Sequence, residues 1–501
     1  MRKRRKQESS SLFPIKIDQF EKLLKSKFEN NPDLSFSVYE HENKKAAVFY
    51  ISYLVDLEKA EEFLLNLLLT MQKEWTNASI QNEIPLISGD ATINKLEDIL
   101  EKILLGTAFI YIEGEDSVVS YMMPNKEKRA LTKAETESVV IGPQIAFTES
   151  LVTNLNVIRW SIRSTDLVME KILLGKETIH EVRLIYLKSV ANETDVNTMR
   201  ERLKTLEVNS IDDSSVLAQY IEDSSASIFP QFYLTELPDR FAYTITQGRV
   251  GVIVENSPTA IIAPSTFLSF FESTEDLYMR WNTGSFLRIL RFLSVFIAIF
   301  LTPMYVAAVT YHYEIIPSDL LISIGQSRAG VPFPPIFEAL FLELMIELLR
   351  EAGARLPTKV GQTIGIVGGV VVGTAAVQAG ITSNILIIFI TISALASFTA
   401  PSYLMGTTIR VLRFPMIILA GILGIVGIIF GICFLAIHLL KLTSLGRPYL
   451  TPIYPFQMKD LNKVLFRLPP NFQWRRFLSF QPKDTSRYDK TKAKKKKDID
   501  E

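Results

Sequence analysis

Residues 334 to 373 read PPIFEALFLELMIELLREAGARLPTKVGQTIGIVGGVVVG, an apolar run interrupted by Glu338, Glu343, Glu347, Glu351, Arg350 and Arg355. Carboxylates at four-residue spacing share a helix face, and at 100° per residue Glu343, Glu347 and Glu351 fall within about 80° of one another. Arg350 follows Glu347 by three and Arg355 follows Glu351 by four, so each acid has a local partner. Glu338 points elsewhere, near the helix start, where the dipole favours an anion. Such a face handles ions in one of two ways. It is the solvated side of an amphipathic helix lying in a membrane interface, or it lines a wet vestibule whose acids attract cations. Phe337, Leu340, Phe341, Leu344 and Leu348 anchor the helix under either reading.

Glycines follow at every fourth position: Gly361, Gly365, Gly369 and Gly373. Each costs about 1 kcal/mol in a helix relative to alanine. In lipid that cost is offset by close approach of a neighbouring helix along the bare stripe. Val367, Val370, Val371, Thr374 and Gln378 lie on the opposite face. If copies of the chain pack through their glycines, this face lines a central passage. Its valines would close the passage to ions by dewetting, with Thr374 and Gln378 as a polar mouth. The competing reading is a tightly packed helix within one subunit, its valines simply buried.

Chemistry of other kinds finds no support. GIVGGVVVG lacks the Lys-Ser/Thr of a phosphate-binding loop, and no dinucleotide fingerprint follows it. Cys433 is the single cysteine, and His41, His180, His312 and His438 form no ligand motif. No enzyme activity, cofactor or metal is expected.

The elements that position these residues divide the 501-residue chain by charge. Residues 1–280 hold 31 Lys+Arg and 42 Asp+Glu, residues 281–501 hold 23 and 12, so a net −11 faces a net +11. The long apolar runs lie in the basic half, which points to anionic lipid and away from nucleic acid. The acidic half has the periodicities of a soluble α/β region. FEKLLKSKF and AEEFLLNLLLTMQKEW have helical spacing. TAFIYIEGEDSVVSYM and GRVGVIVENSPTAIIAP read as hairpins, and EVRLIYLK as a strand followed by a helix. The fold class expected is therefore an α+β N-terminal region of two α/β lobes, 1–140 and 141–280, followed by an all-α polytopic membrane domain, 281–440. Its spans are placed at 292–311, 363–379, 385–400 and 415–440. An amphipathic or re-entrant helix is placed at 335–352, starting at Pro335 and stopping near Gly353 and Pro357. Arg288 and Arg291 precede the first span and put the N-terminal region in the cytoplasm. Residues 441–501, with 15 Lys+Arg against 6 Asp+Glu, read as a basic, partly disordered cytoplasmic tail near lipid headgroups.

Several blocks carry a family resemblance: GPQIAFTESLVTNLNVIRWSIRS (142–164), FPQFYLTELPDR (229–240), PFPPIFEALFLELMIELLREAGARLP (332–357), GQTIGIVGGVVVGTAAVQAG (361–380) and ASFTAPSY (396–403). In this order they resemble the A subunit of GerA-type bacterial spore germinant receptors, from about residue 95 to 470. A relative associated with the SpoVA proteins shares the fold, and the 332–357 block favours the receptor branch. The resemblance implies a multi-pass protein of the endospore inner membrane that works with a transporter-like B subunit and a lipoprotein C subunit. It implies nutrient sensing, assembly as a ring, a pentamer, and a cation channel whose pore is the helix matched at GIVGGVVVGTAAV. Glu149, Asn154 and Arg159 match the family block at 142–164; they read either as contacts between subunits or as polar groups that position the two lobes. The alternatives are a secondary transporter with Glu343 or Glu347 as its coupling-ion site, and a non-conducting scaffold of a spore membrane complex.

Overall fold

A computed structural model of the chain describes residues 14, 16–28, 33–41, 44–71, 74–83, 92–125, 133–137, 139–356, 369, 371, 373–469 and 472–488. Helix α1 (Ile17–Lys27) buries Ile17, Phe20 and Leu24, the face its three-and-four spacing creates. It packs on a four-stranded antiparallel sheet in sequential order: β1 (Leu34–His41), β2 (Lys44–Ile51), β3 (Thr107–Ile112) and β4 (Val118–Met122). Alternation along β2 sends Phe49 toward Phe20 and Tyr111, and Val48 toward Leu64, Leu68 and Trp75 of the helical stretch behind the sheet. Every residue of β3 is buried, which is why TAFIYI carries no polar alternation.

The second sheet is also antiparallel. After α2 (Leu151–Ser161) come β5 (Leu167–Leu174), β6 (His180–Leu187), α3 (Glu193–Thr205), α4 (Ser214–Ile221), β6's later neighbours and their helix: β7 (Tyr233–Thr235), α5 (Pro238–Thr246), β8 (Val250–Val254) and β9 (Ala260–Ala263). The order across the sheet is β5-β6-β8-β9-β7. Asn256, with φ +62°, turns the β8–β9 hairpin. Helices α2 and α5 cover one face, α3 and α4 the other.

One buried charge cluster joins the two lobes. Asp33, beside β1, takes Arg159 at 3.0 Å and Arg183 at 3.1 Å. Tyr53 donates to the same carboxylate at 3.0 Å and accepts from Arg159 Nε at 3.1 Å. Arg159 spends its other N–H groups on Ser164 O and Leu167 O. Removing Asp33 or Arg159 would strand a buried charge, so the cluster holds the lobes in one register.

The helical region begins with α6 (Trp281–Tyr311), which continues through Pro303 at the loss of one backbone hydrogen bond. Asp276 grips its base, with Arg288 at 2.8 Å and Arg291 at 2.9 Å. There follow α7 (Ser318–Arg328), α8 (Pro335–Arg355), the short helix Gly373–Gln378, α9 (Asn384–Ser397) and α10 (Tyr403–Lys441). By length and composition, α6 and α10 are the two described helices able to cross a membrane.

The uncharged run 415–440, expected as one tilted span, is not straight. Gly424 has φ +64° and ψ −142°, outside helical geometry. It folds α10 into two antiparallel legs, 403–423 and 425–441. A β-carbon on Gly427 would overlap Leu419 O, and one on Gly431 would overlap the Met416 sulfur, so the legs approach through bare backbone. The Tyr311 hydroxyl donates to Gly421 O and Ile422 O at 3.1 Å, which pins the turn to the far end of α6. At the near end Thr408 donates to Ile228 O at 2.7 Å, and His438 lies 2.9 Å from the Ser227 hydroxyl. Both ends of α10 therefore sit against lobe two.

The reading of 441–501 as a partly disordered tail is corrected for residues 442–488, which fold onto lobe two. Tyr449 is buried and donates to Pro230 O, Arg447 pairs with Asp195 at 2.7 Å, and α11 (Met458–Leu465) packs beside the base of α6. The segment's charge and prolines hide this from sequence, because docking contacts such as Arg447–Asp195 and Tyr449–Pro230 are made with distant elements. Residues 489–501 lie outside the described residues.

Asp223 is the clamp at the start of this segment. It accepts from Thr443 Oγ1, from Leu445 N at 3.1 Å and Gly446 N at 2.8 Å, and pairs with Arg202 at 2.6 Å. Burial pushes its carboxyl up, but the hydrogen bonds from Thr443 and Gly446 and the Arg202 pair outweigh that and hold it below its ordinary value of 3.8. Asp223→Asn is expected to cost about 1.5–3 kcal/mol, the range for hydrogen bonds to a charged group. A depressed folded pKa gives stability that is present above the unfolded value and lost as pH falls through the folded one. The difference in thermal midpoint between wild type and variant should hold from neutral pH to about 4 and close below that. A constant difference down to pH 2 would refute the clamp.

Candidate functional site

Helix α8 opens at Pro335, whose missing N–H is not needed in the first turn. It ends at Arg355 because Leu356 is held extended ahead of Pro357, with φ −92° and ψ 149°. Gly353 is carried inside the helix. The expected element 335–352 is thus a 21-residue helix of about 31 Å, matching a bilayer's hydrocarbon thickness.

Its charges do not share one environment. Glu338, buried at the first turn, lies 2.7 Å from Arg328 of α7 and accepts from Ser383 N at 3.3 Å. Glu343 is 1% exposed and 2.6 Å from Arg413 of α10. Thr302 of α6 donates to the same carboxylate at 3.3 Å. Arg413 donates onward to Ala298 O of α6 at 2.8 Å and Ser393 O of α9 at 3.2 Å. Four helices thus converge on one buried pair. Glu347 is half-buried, 3.1 Å from Arg350 and 3.6 Å from Arg410. The Arg350 guanidinium stacks 4.4 Å from the Phe398 ring centre. Glu351 and Arg355 pair at 2.5 Å in the open.

The local pairs Glu347–Arg350 and Glu351–Arg355 are those the spacing predicts. The placement of Glu343 is a correction. It faces neither a solvated interface nor a vestibule, because packing of α6, α9 and α10 over it leaves only a counter-charge as a partner. The sequence reading missed Arg413 and Arg410. The available signal was two arginines at the head of a long uncharged run with no acid nearby, which must find partners elsewhere. The outward face of α8 carries the exposed Phe337, Phe341, Leu344 and Leu348, with Leu340 half-buried.

Of the glycine-and-valine helix, Gly361, Gly365, Val367 and Val370 lie outside the described residues. The remaining positions divide clearly. Ala376 is buried. Val371, Thr374 and Gln378 are exposed, Val371 by 56%, and the Thr374 hydroxyl donates to Val371 O at 3.2 Å. A β-carbon added at Gly369 or Gly373 would meet nothing within 4 Å. The turn expected at 380–383 is present, with Gly380 at φ +67° and the Ser383 hydroxyl accepting from Leu386 N at the start of α9.

Among the residues read as subunit contacts, Arg159 and Asn154 are spent inside the chain. Arg159 serves the lobe junction. Asn154 accepts from Thr148 N at 2.8 Å and donates to Thr148 O at 2.6 Å. Both are fully buried, so the lobe-positioning reading describes them, and a contact with another copy does not. Glu149 alone is exposed, at the rim of a cleft between the lobes.

The family profile described as Bacillus/Clostridium GerA spore germination protein matches residues 22–478. Spore germination protein GerQA of Bacillus cereus is 41% identical over 461 residues, 91% of each chain. Spore germination protein A1 of Bacillus subtilis (strain 168) is 39% identical over 455 residues, 89% of this chain and 92% of that one. The crystal structure of the N-terminal domain of the A subunit of the Bacillus megaterium spore germinant receptor GerK3 is 27% identical. It matches 52% of this chain and 99% of its own, with a TM-score of 0.41.

Proposed function

The chain belongs to the GerA spore germination protein family, and from that premise we propose that it is the membrane subunit of a nutrient-sensing germinant receptor. In this reading several copies, five in number, form a ring in the inner membrane of the endospore. They surround a passage that releases cations when nutrient is sensed. Partners are a transporter-like subunit and a lipoprotein subunit, and the two lobes face the spore core.

One observation carries the reading. Within an otherwise apolar helical region, the helix ending at Gln378 turns Thr374, Gln378 and Val371 away from its own chain, while Ala376 faces inward. The Gln378 amide, turned outward at that position, is met by water or a neighbouring copy, and a ring around a wet passage supplies both. Val367, Val370 and Val371 form the constriction, and the stripe Gly361, Gly365, Gly369 and Gly373 forms the contact between copies. Closure is dewetting of the valine ring, and opening is a population shift toward a wetted state that the nutrient-bound receptor favours. Asp276, gripping Arg288 and Arg291, makes the base of α6 rigid with lobe two, so a lobe rotation is delivered to the helices. The Glu343–Arg413 pair supports this reading over a transporter, since it puts a fixed counter-charge where a coupling ion would bind.

The test is cation flux from liposomes holding the reconstituted complex without nutrient. Val371→Ala removes two methyl groups from each copy's share of the constriction, at about 0.8 kcal/mol per buried carbon. Summed over a ring this exceeds the 1.4 kcal/mol that corresponds to tenfold, so leak is expected to rise at least about tenfold. Unchanged tight closure, or solitary particles in lipid, would end the proposal.

A further inference from the structure

Lobe two, the base of α6 and the folded C-terminal segment together enclose a cavity of about 60 Å³. Its lining is strongly basic, with Glu272 the one carboxylate. Three of its cations already have partners: Arg240 with Glu137 at 2.9 Å, Arg288 with Asp276 at 2.8 Å and Lys463 with Asp460 at 3.1 Å. Four do not. Among the described residues no carboxylate lies within 4.0 Å of Arg249, Arg467, Arg475 or Arg487.

The two inner members are held in place without being neutralised. Arg249 is 6% exposed and lies 4.0 Å over the Phe480 ring. Burial pulls its guanidinium down to about 10, with Glu272 opposing. Arg467 donates to Leu277 O and Met279 O, and its Nε is buried without a partner. Two further buried groups on the same wall lack partners, Gln247 Nε2 and Thr274 Oγ1, in residues 3% and 4% exposed. Arg475 and Arg487 stand exposed at the mouth. Unpaired buried donors cost free energy, and buried cations cost more. A lining of free donors and uncompensated positive charge is therefore complete only with an anion inside.

We propose that this cavity binds a phosphate-type oxyanion, held by Arg249 and Arg467 with Gln247 and Thr274, and attracted by Arg475 and Arg487. The size limits the ligand. A volume of 60 Å³ holds a few waters or one tetrahedral oxyanion, whereas whole small-molecule sites run to about 300–1,000 Å³. The phosphate is thus either a free ion or the headgroup of an anionic lipid, since the cavity adjoins the base of the first apolar helix. Occupancy would tie lobe two, α6 and the C-terminal segment together through one charge centre. This inference does not depend on the channel reading.

The experiment uses the full chain in nanodiscs at constant ionic strength. Inorganic phosphate is titrated calorimetrically in pure phosphatidylcholine, and the thermal midpoint is compared with and without phosphatidylglycerol. Saturable phosphate binding identifies a free ion. A silent titration with a midpoint raised by phosphatidylglycerol identifies a headgroup. In either arm Arg249→Gln is expected to weaken the response about tenfold or more, the loss of one charge-assisted hydrogen bond. Arg487→Gln, at the exposed mouth where folding is not at stake, should weaken it about threefold through the lost attraction. Silence in both arms, or responses equal in wild type and both variants, would overturn the proposal.

Discussion

Arg413→Ala will lower the stability of the helical region by about 3–5 kcal/mol, the range for removing one partner of a buried ion pair. The substitution leaves Glu343 at 1% exposure with, among the described residues, the Thr302 hydroxyl at 3.3 Å to meet its charge. It also removes the donors to Ala298 O and Ser393 O that bridge three helices. Glu343→Ala is expected to cost a similar amount, because Arg413 is then the stranded charge. The double variant Glu343→Leu with Arg413→Met replaces the pair by apolar groups of similar volume, and its stability should return close to wild type. Thermal midpoints of the three variants and the wild type in detergent decide the matter. If the single variants melt with the wild type, or if the two losses simply add in the double variant, the pair is not the buried contact described.

Gly424→Val is the second large effect. At φ +64° and ψ −142° the backbone lies in a region open essentially to glycine alone, where another residue costs on the order of 1–3 kcal/mol. A β-carbon there would also sit 2.8 Å from His312 Nε2 and 3.2 Å from the Tyr311 β-carbon. Together these are expected to exceed about 3 kcal/mol in destabilisation. The alternative open to the chain is to straighten α10, which would carry residues 425–441 away from lobe two. Ser227 would then lose His438, and residues 442–488 would lose their dock. The readout is protease cleavage within 442–488, sealed in the wild type and open in the variant. Equal protection in both proteins would show that the turn does not depend on glycine.

These two results bear on membrane topology. With α10 folded at Gly424, Arg410 and Arg413 lie on the near leg, toward the lobes. The turn returns the C-terminal segment to the side of the N-terminal lobes.

Much of the architecture was legible in the sequence because local interactions set it. Apolar spacing of three and four residues marked α1, the run EVRLIYLK marked β6 with a helix after it, and turn residues marked the β3–β4 and β8–β9 hairpins. The pairs Glu347–Arg350 and Glu351–Arg355 were legible for the same reason, since each lies within one helical turn. The change from an acidic α/β half to a basic apolar half marked where the helical region starts.

Tertiary structure decided the rest, and in each case the partner is far away along the chain. Asp33 meets Arg159 and Arg183 only once two separate sheets are docked, and Glu343 meets Arg413 only once four helices have packed. Strand order in the second sheet, the docking of residues 442–488 and the basic cavity behind them arise in the same way. A turn at Gly424 has no local mark either, because its neighbours are as apolar as those of a straight span and the contacts that hold it come from Tyr311 and His312. Periodicity reports which face of an element is buried; which other element buries it is settled by contacts that close loops of tens to hundreds of residues, and no local pattern records them.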